Sequence, residues 1–468
     1  MGQSTAPTSA PTSAPTTHAG WAGEWSGVIS VGPQRIRFGL VVTADGAGWK
    51  GKFSQPDQGV AGIGATVVAE EDGVKIALAG VGGKPTMEGR MDAAGKVAGS
   101  FTQGAAKGTF EMSRGTAQQK RRPQEPVPPF PYREEEVRVA VKAGVSLGGT
   151  LTLPGGDKPE RGWPAVVLVT GSGPQNRDEE LMGHRPFAVL ADRLARKGIV
   201  VLRYDDRGVG MSTGTFAGAT TKDFAEDGAA AVKWLRGRAE VREGGVGILG
   251  HSEGGLVGPM VAAGDDRTAF VVMLAGPGVR GRELMGVQYE KSMLAMGIPE
   301  AVVKRQAVAQ GKALDSAMAG DEAAAQEAMV DLILMQSGQL ELEKVPAEAR
   351  AKVATSAGPQ VANLMSPWMR GFLLMDPREA LRRVKCPVLA VNGTLDTQVD
   401  AGQNLPEVEK ALREGGNADV TVRTFEGLNH LFQAAKTGSV SEYAMIEETM
   451  NEEVMEVVAE WILGRFGK

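Results

Sequence analysis

From Trp21 to Arg114 apolar and polar residues alternate with a period of two, in short runs such as "RIRFGLVVTA" and "VKIALAG". Turn clusters ("ADGAG", "EDG", "DAAG") separate these runs at a spacing of roughly ten residues. Alternation of this kind, with frequent glycine, predicts a small all-β domain over residues 20–116, an antiparallel barrel or a curled sheet. It holds no cluster of titratable side chains, so a structural or interaction role fits it better than catalysis. The stretch "QQKRRPQEPVPPFPYRE" comes next, with five prolines between Pro123 and Pro131. Fixed φ angles and missing N–H groups make residues 117–134 an extended, semi-rigid linker.

Beyond Glu135 the pattern changes to alternating strands and helices. "EVRVAVKAGVSLGGTLTLP" reads as a hairpin, and "PAVVLVTG" and "GIVVLRYDD" as buried strands that end in turn residues. Thr220–Arg238 reads as a helix: Thr220 and Asp223 form a start signal, and Phe224, Gly228, Val232 and Leu235 share one face. "GVGILG", "FVVMLAG", "PVLAVNG" and "DVTVRTF" are further strands. A last helix carries Ile446, Met450, Val454, Val457 and Trp461 at helical spacing. This order predicts an α/β catalytic domain over residues 135–468, a mostly parallel sheet flanked by helices on both faces. A segment of several helices, about 281–377, interrupts it and holds nine of the twenty methionines. Those methionines suit a pocket for apolar groups or an ordinary bundle core equally. An insertion between late strands lies above their C-terminal ends, which favours a lid.

Composition narrows the function. The 468 residues are 42% apolar and 23% charged, with net charge −5, no basic block and no apolar run long enough to span a membrane. Nucleic acid and membrane partners are thereby disfavoured. Lys120, Arg121 and Arg122 sit beside prolines and read as solvated linker. A lone cysteine, Cys386, excludes an intramolecular disulfide and any multi-cysteine metal site; within "KCPVLAV" it reads as an inert core thiol. Residues 1–19, rich in Ser, Thr, Ala and Pro, are expected to stay disordered. Such a tract resembles the segment just after a cleaved export signal. The expected location is therefore periplasmic or secreted, with a cytoplasmic one left open.

The pattern G-x-S-x-G occurs three times, around Ser146, Ser212 and Ser252. A nucleophilic serine on this motif needs a strand running in and a helix running out, so that its hydroxyl stands above the sheet on a tight turn. Ser146 is followed by another strand and Ser212 by a long loop. Only Ser252 lies between a strand, "VGILG", and a helix, "GLVGPMVAAG".

The serine requires a base, and the chain has four histidines: His18, His184, His251 and His430. His18 is in the tail, and His251 adjoins the serine on the turn and points elsewhere. His184 precedes Ser252, whereas His430 follows the last strand, as the order Ser, Asp, His requires. The acid comes from "NGTLDTQVD", where Asp396 in the turn itself is preferred to Asp400, which starts the next helix. The oxyanion is expected to accept from the N–H of Glu253, at a helix start, and from that of Ser172 in "VTGSGPQ", with Gly173 as the alternative. Neither glycine-rich loop has the lysine of a phosphate-binding loop.

The motifs "TGSGPQNRDE", "YDDRGVGMSTG", "GHSEGGLVGPMVA" and "GLNHLFQAAKTG", in this order, make the chain resemble bacterial α/β-hydrolases of the EstD-like esterase type, related to the serine aminopeptidase family. The resemblance covers nearly everything from Trp21 onward, including the β-rich domain and the linker. It implies an α/β-hydrolase fold and a serine carboxylesterase acting on short- to medium-chain acyl esters, with no cofactor and no metal. The family's nucleophile, acid and base fall on Ser252, Asp396 and His430. The loop that often begins His-Gly in related hydrolases begins Thr170-Gly171 here. A peptidase or amidase on the same machinery is the main alternative, left open by Glu283, Glu290 and Glu300 in the lid; an inert binding protein is the remoter one. A homodimer built through the β domain, or shielding of the site by it, is a further expectation.

Overall fold

The computed structural model describes residues 20–32, 34–46, 48–55, 60–69, 72–81, 83–104, 106–115, 122–339 and 341–467. The tract 1–19 with His18, and linker residues 117–121 with Lys120 and Arg121, lie outside them. Two compact units divide at Arg121/Arg122 along the main run of the chain.

The first unit is a closed barrel of eight antiparallel strands: β1 (Gly23–Val31), β2 (Gln34–Asp45), β3 (Gly48–Gln55), β4 (Val60–Ala69), β5 (Gly73–Leu78), β6 (Thr86–Met91), β7 (Val97–Gln103) and β8 (Ala106–Arg114). Each strand pairs with its sequence neighbour, and β8 closes onto β1. The period-two pattern explains the interior. Phe38, Leu40, Val42, Phe53, Ile76, Met87 and Phe110 are buried, while Arg35, Lys52, Lys75 and Glu88 are exposed. Closure leaves no free sheet edge to cover.

The second unit is an eight-stranded sheet. Its strands are β9 (Arg133–Lys142), β10 (Val145–Leu153), β11 (Trp163–Val169), β12 (Val200–Tyr204), β13 (Val241–His251), β14 (Val271–Leu274), β15 (Val388–Gly393) and β16 (Val420–Phe425). Their order is β16-β15-β14-β13-β11-β12-β10-β9. The β9–β10 hairpin is antiparallel, β10 meets β12 antiparallel, and all pairings from β12 to β16 are parallel. This is the α/β-hydrolase fold, with helices on both faces of the sheet. Along β11, Ala165, Val167 and Val169 enter one hydrophobic core, and Val166 and Leu168 enter the other. A strand buried on both faces is uniformly apolar, as "AVVLV" is.

The flanking helices are α1 (Pro186–Arg196), α2 (Thr221–Arg236) and α3 (Gly254–Gly264), followed after the insertion by α10 (Ala401–Glu414) and α11 (Glu452–Phe466). The start of α2 is set by the expected capping box, in which Thr220 N donates to Asp223 Oδ2 at 3.0 Å. Helix α11 begins later than the apolar spacing suggests. Asn451 caps it, accepting from Glu453 N at 3.0 Å, so Ile446 and Met450 lie before the helix.

The insertion consists of α4 (Gly281–Ala295), α5 (Glu300–Ala319), α6 (Glu322–Gln336), α7 (Ala347–Leu364) and α8 (Pro367–Leu374), with the short α9 (Pro377–Leu381) returning to the sheet. Met285, Met318, Met329, Met365 and Met369 all join a cluster around Leu314 and Leu373. Most of its methionines are thus bundle core.

Two local readings need correction. Arg122 is not solvated linker: it is buried, and its guanidinium donates to the carbonyls of Ala444 and Ile446 at 2.8 and 2.9 Å. Those carbonyls compensate for its lost water. Cys386 lies just before β15 rather than in it, and burial pushes its thiol up to about 12, which keeps it protonated.

Candidate active site

The sheet order reverses direction at β11. The chain runs from β11 to β12 on one side and then to β13 on the other, opening a crevice between the loops that leave β11 and β13. Both serine-bearing turns of interest end there. Ser252 sits between β13 and α3 with φ of +53°, in the left-handed region that side chains other than glycine rarely adopt. The tight turn has no room for larger neighbours. A Cβ on Gly250 would lie 1.8 Å from the carbonyl oxygen of Gly254, and one on Gly254 would lie 2.2 Å from that of Val169. The turn is fixed by Ser252 N donating to Leu274 O at 2.9 Å and Gly255 N donating to Ser252 O at 2.8 Å.

The other two motif serines have structural work. Ser212 Oγ donates to Asp205 O at 2.6 Å and accepts from Gly148 N at 2.9 Å. Ser146 Oγ lies 3.1 Å from Thr213 Oγ1, and Ser146 N donates to the same hydroxyl at 2.9 Å. The two decoy motifs therefore pin each other, one in the β9–β10 hairpin and one in the loop after β12.

His430 lies in the loop after β16, and its Nδ1 is 2.8 Å from Asp396 Oδ2. Asp396, in the loop after β15, is held in turn by the N–H groups of Gln398 and Val399, at 2.8 and 2.9 Å from Oδ1. With Nδ1–H donating to the carboxylate, Nε2 is the nitrogen left to accept a proton. Asp400 does other work: it caps α10 through Gln403 N at 2.8 Å and pairs with Lys291 at 3.0 Å. His184 is buried against Thr449 Oγ1 and Tyr443 O, and burial pulls its pKa down to about 4 despite the Tyr443 bond. It is a neutral core histidine.

His430 meets the Ser252 turn through its neighbour. His251 Nε2 is 2.9 Å from His430 O, and the two rings lie 4.7 Å apart. Among the described residues the Ser252 hydroxyl itself makes no hydrogen bond. In resting enzymes that bond is often long, tightening only when substrate is bound.

The loop after β11 faces the same turn, since a Cβ on Gly171 would lie 3.1 Å from Ser252 Cβ. Carboxylates organise it. Asp206 accepts from Thr170 Oγ1 and Gln175 N, both at 2.9 Å. Asp205 accepts from Arg177 N at 2.9 Å and pairs with its guanidinium. Glu179 Oε1 accepts from Gly171 N at 2.8 Å and meets His251 Nδ1 at 2.9 Å. Glu253 has its backbone at the head of α3. Its buried carboxylate accepts from Thr221 Oγ1 at 2.6 Å and from Trp368 Nε1 at 3.0 and 3.1 Å, and it is bonded by the Ser172 side chain. Burial raises the pKa of Glu253 against those bonds. Glu179, Asp206 and Trp368 do not stand out in the sequence. The acidic pair in "YDDRG" is the one visible signal, and nothing local marks the other two.

Residues 143–422 match the family described as X-Pro dipeptidyl-peptidase (S15 family). The chain is 26% identical over 374 residues to the esterase EstD of Thermotoga maritima, covering 80% of this chain and 75% of that protein. Among solved structures it is similar to the Pyrococcus furiosus esterase Pf2001, at 16% identity and a TM-score of 0.43, over 72% of this chain and 94% of that one. The α/β-hydrolase GrgF from a Penicillium species gives 17% and 0.43, over 72% and 100%.

Covalent labelling and thermal stability each test this geometry. A fluorophosphonate probe should label the protein, and labelling should vanish in Ser252→Ala. Ser146→Ala and Ser212→Ala should label like the wild type, while Ser212→Ala melts lower by a loss of about 1–3 kcal/mol, from the stranded Gly148 N–H. Mass spectrometry of the labelled peptide and thermal melts read both. The second test concerns Asp206, whose pKa burial raises from 3.8 to about 7 although the Gln175 and Thr170 bonds oppose the rise. Between those values the folded state binds the proton that the unfolded state has lost. The stability associated with that proton is full below 3.8 and is lost as pH rises through about 7. The wild type should therefore lose Tm relative to Asp206→Asn as pH rises from about 5 to about 8, and a constant difference would refute the assignment.

Proposed function

The chain belongs to the X-Pro dipeptidyl-peptidase (S15) family and is a hydrolase; from that premise we propose that it is a serine carboxylesterase acting on short- to medium-chain acyl esters through Ser252, His430 and Asp396. One observation carries this reading: His251, next to Ser252 on its strained turn, lies 2.9 Å through Nε2 from the carbonyl oxygen of His430, whose own Nδ1 is 2.8 Å from the buried Asp396. The likeness to the esterase EstD supports the choice of bond.

In the proposed cycle, Ser252 Oγ attacks the ester carbonyl while its proton passes to His430 Nε2. Asp396 holds the ring in the required tautomer and stabilises the imidazolium. The tetrahedral oxyanion accepts from the N–H groups of Glu253 and Ser172, and the α3 dipole adds to the first. Collapse breaks the bond to the alcohol, which takes the proton from His430. Water then attacks the acyl-enzyme with His430 again as base, releasing the acid and regenerating Ser252. The cycle balances as ester plus water giving acid plus alcohol, with every proton carried by His430.

We read α4–α8 as a lid. Leu284 of α4 and Phe372 of α8 cluster with Leu256 of α3, and Trp368 bonds the Glu253 carboxylate. This apolar contact beside the nucleophile's helix favours an apolar acyl group. The family's description favours a second reading, a peptidase that binds a free N-terminus. Its acids are engaged elsewhere or exposed: Glu283 pairs with Arg378 at 3.0 Å, Glu300 with Lys304 at 2.6 Å, and Glu290 faces solvent.

A panel of p-nitrophenyl esters of rising chain length, beside aminoacyl and X-Pro p-nitroanilides, separates the readings. Short and medium esters should turn over fastest, and Ser252→Ala should lower their turnover by about 10⁴–10⁶-fold. Faster cleavage of the anilides would establish the peptidase instead, and near-normal ester turnover in Ser252→Ala would overturn both.

A further inference from the structure

His251, the residue before the nucleophile, and Glu179, in the loop after β11, are each almost fully buried. The proposed cycle uses neither. Their hydrogen bonds span the site. Glu179 Oε1 takes the Gly171 N–H at 2.8 Å and lies 2.9 Å from His251 Nδ1, while His251 Nε2 lies 2.9 Å from the carbonyl oxygen of His430. Both nitrogens of His251 therefore face acceptors. A neutral imidazole has only one N–H, so two such bonds to a carboxylate and a carbonyl call for the imidazolium. Glu179 also holds φ of +52°, an unfavourable backbone for a glutamate, which the surrounding bonds must compensate.

Resting on the assignment of Ser252 and His430 above, we propose that His251 and Glu179 are positioning residues, a buried ion pair that braces the oxyanion loop against the backbone of the catalytic base. Glu179 occupies the Gly171 N–H and so excludes it from the oxyanion hole. That leaves the next N–H, of Ser172, to face the reacting carbonyl. His251 fixes the His430 carbonyl and thereby the placement of the ring held by Asp396. The charged or titratable groups facing His251 are Glu179, His430 and Asp396; the nearby Phe432 ring is uncharged. Burial disfavours the His251 cation, but the Glu179 charge and hydrogen bond, the His430 carbonyl and Asp396 outweigh it.

The test uses the full-length enzyme and p-nitrophenyl butyrate, with active sites titrated by a fluorophosphonate. His251→Asn should lower kcat per labelled site by about 10- to 100-fold with KM nearly unchanged, the effect of a misplaced base and donor. Glu179→Gln should lose less kcat than Glu179→Ala, since its amide oxygen can still accept the Gly171 N–H. Wild-type kcat in His251→Asn, with only a lower Tm, would reduce the pair to packing and overturn the proposal. If His251→Asn does not fold, the two Glu179 variants decide: equal losses, or none, overturn it. Ester turnover surviving in Ser252→Ala would instead overturn the underlying assignment, a distinct result.

Discussion

The closest constraint in the catalytic unit is the approach of Gly250 to Gly254, where a side chain would lie 1.8 Å from a carbonyl oxygen. Because the backbone can close that tightly, β13 turns into α3 within a few residues, and Ser252 is lifted out of the sheet at φ of +53°. The left-handed conformation costs roughly 1–2 kcal/mol for a residue with a side chain. It persists because the turn is bonded at both ends, to Leu274 and within α3. Gly254 and Gly255 extend the requirement, since side chains there would meet the backbone of Val169 and of Gly276. The turn is thereby seated against the ends of both neighbouring strands.

Facing that turn is a loop with no regular structure, and buried acids take the place of a ladder. The N–H groups of Gly171, Gln175 and Arg177 go to Glu179, Asp206 and Asp205. Carboxylates in such places cost desolvation, as the raised pKa of Asp206 shows. An apolar filling would have cost less but could not have accepted those N–H groups. A strand or helix satisfies its donors by repetition, whereas a loop that must present one particular N–H has to satisfy the others individually. The acids give this loop a single shape.

Legibility in the sequence tracks the range of the interactions. The sheet, its hairpin and the start of α2 are readable because period and capping are local; Thr220 and Asp223 are three positions apart. Flanking strand and helix, again local, separate Ser252 from Ser146 and Ser212. Chain order brings Asp396 and His430 forward, and the structure puts them 2.8 Å apart across 34 positions. Local pattern also misleads, because the apolar spacing runs on through Ile446 and Met450 although Asn451 caps the helix after them. Glu179 has no local mark, Asp206 only the acidic pair in "YDDRG", and Trp368 none. Their partners lie 72, 36 and 115 positions away and are met only once the sheet has formed.

Glu253 joins these levels in one residue. Its backbone lies where α3 begins, and its side chain is enclosed by α2, the β11 loop and α8 through Thr221, Ser172 and Trp368. Partners from three segments converge on one carboxylate that burial disfavours. Withdrawing Trp368 would leave the carboxylate short of a donor in a site that water reaches poorly, at a cost comparable to stranding any buried acceptor. The helical insertion is thus fastened to the residue after Ser252 rather than merely resting on the sheet. A shift of α8 would be felt first at Glu253, and through it at the head of α3.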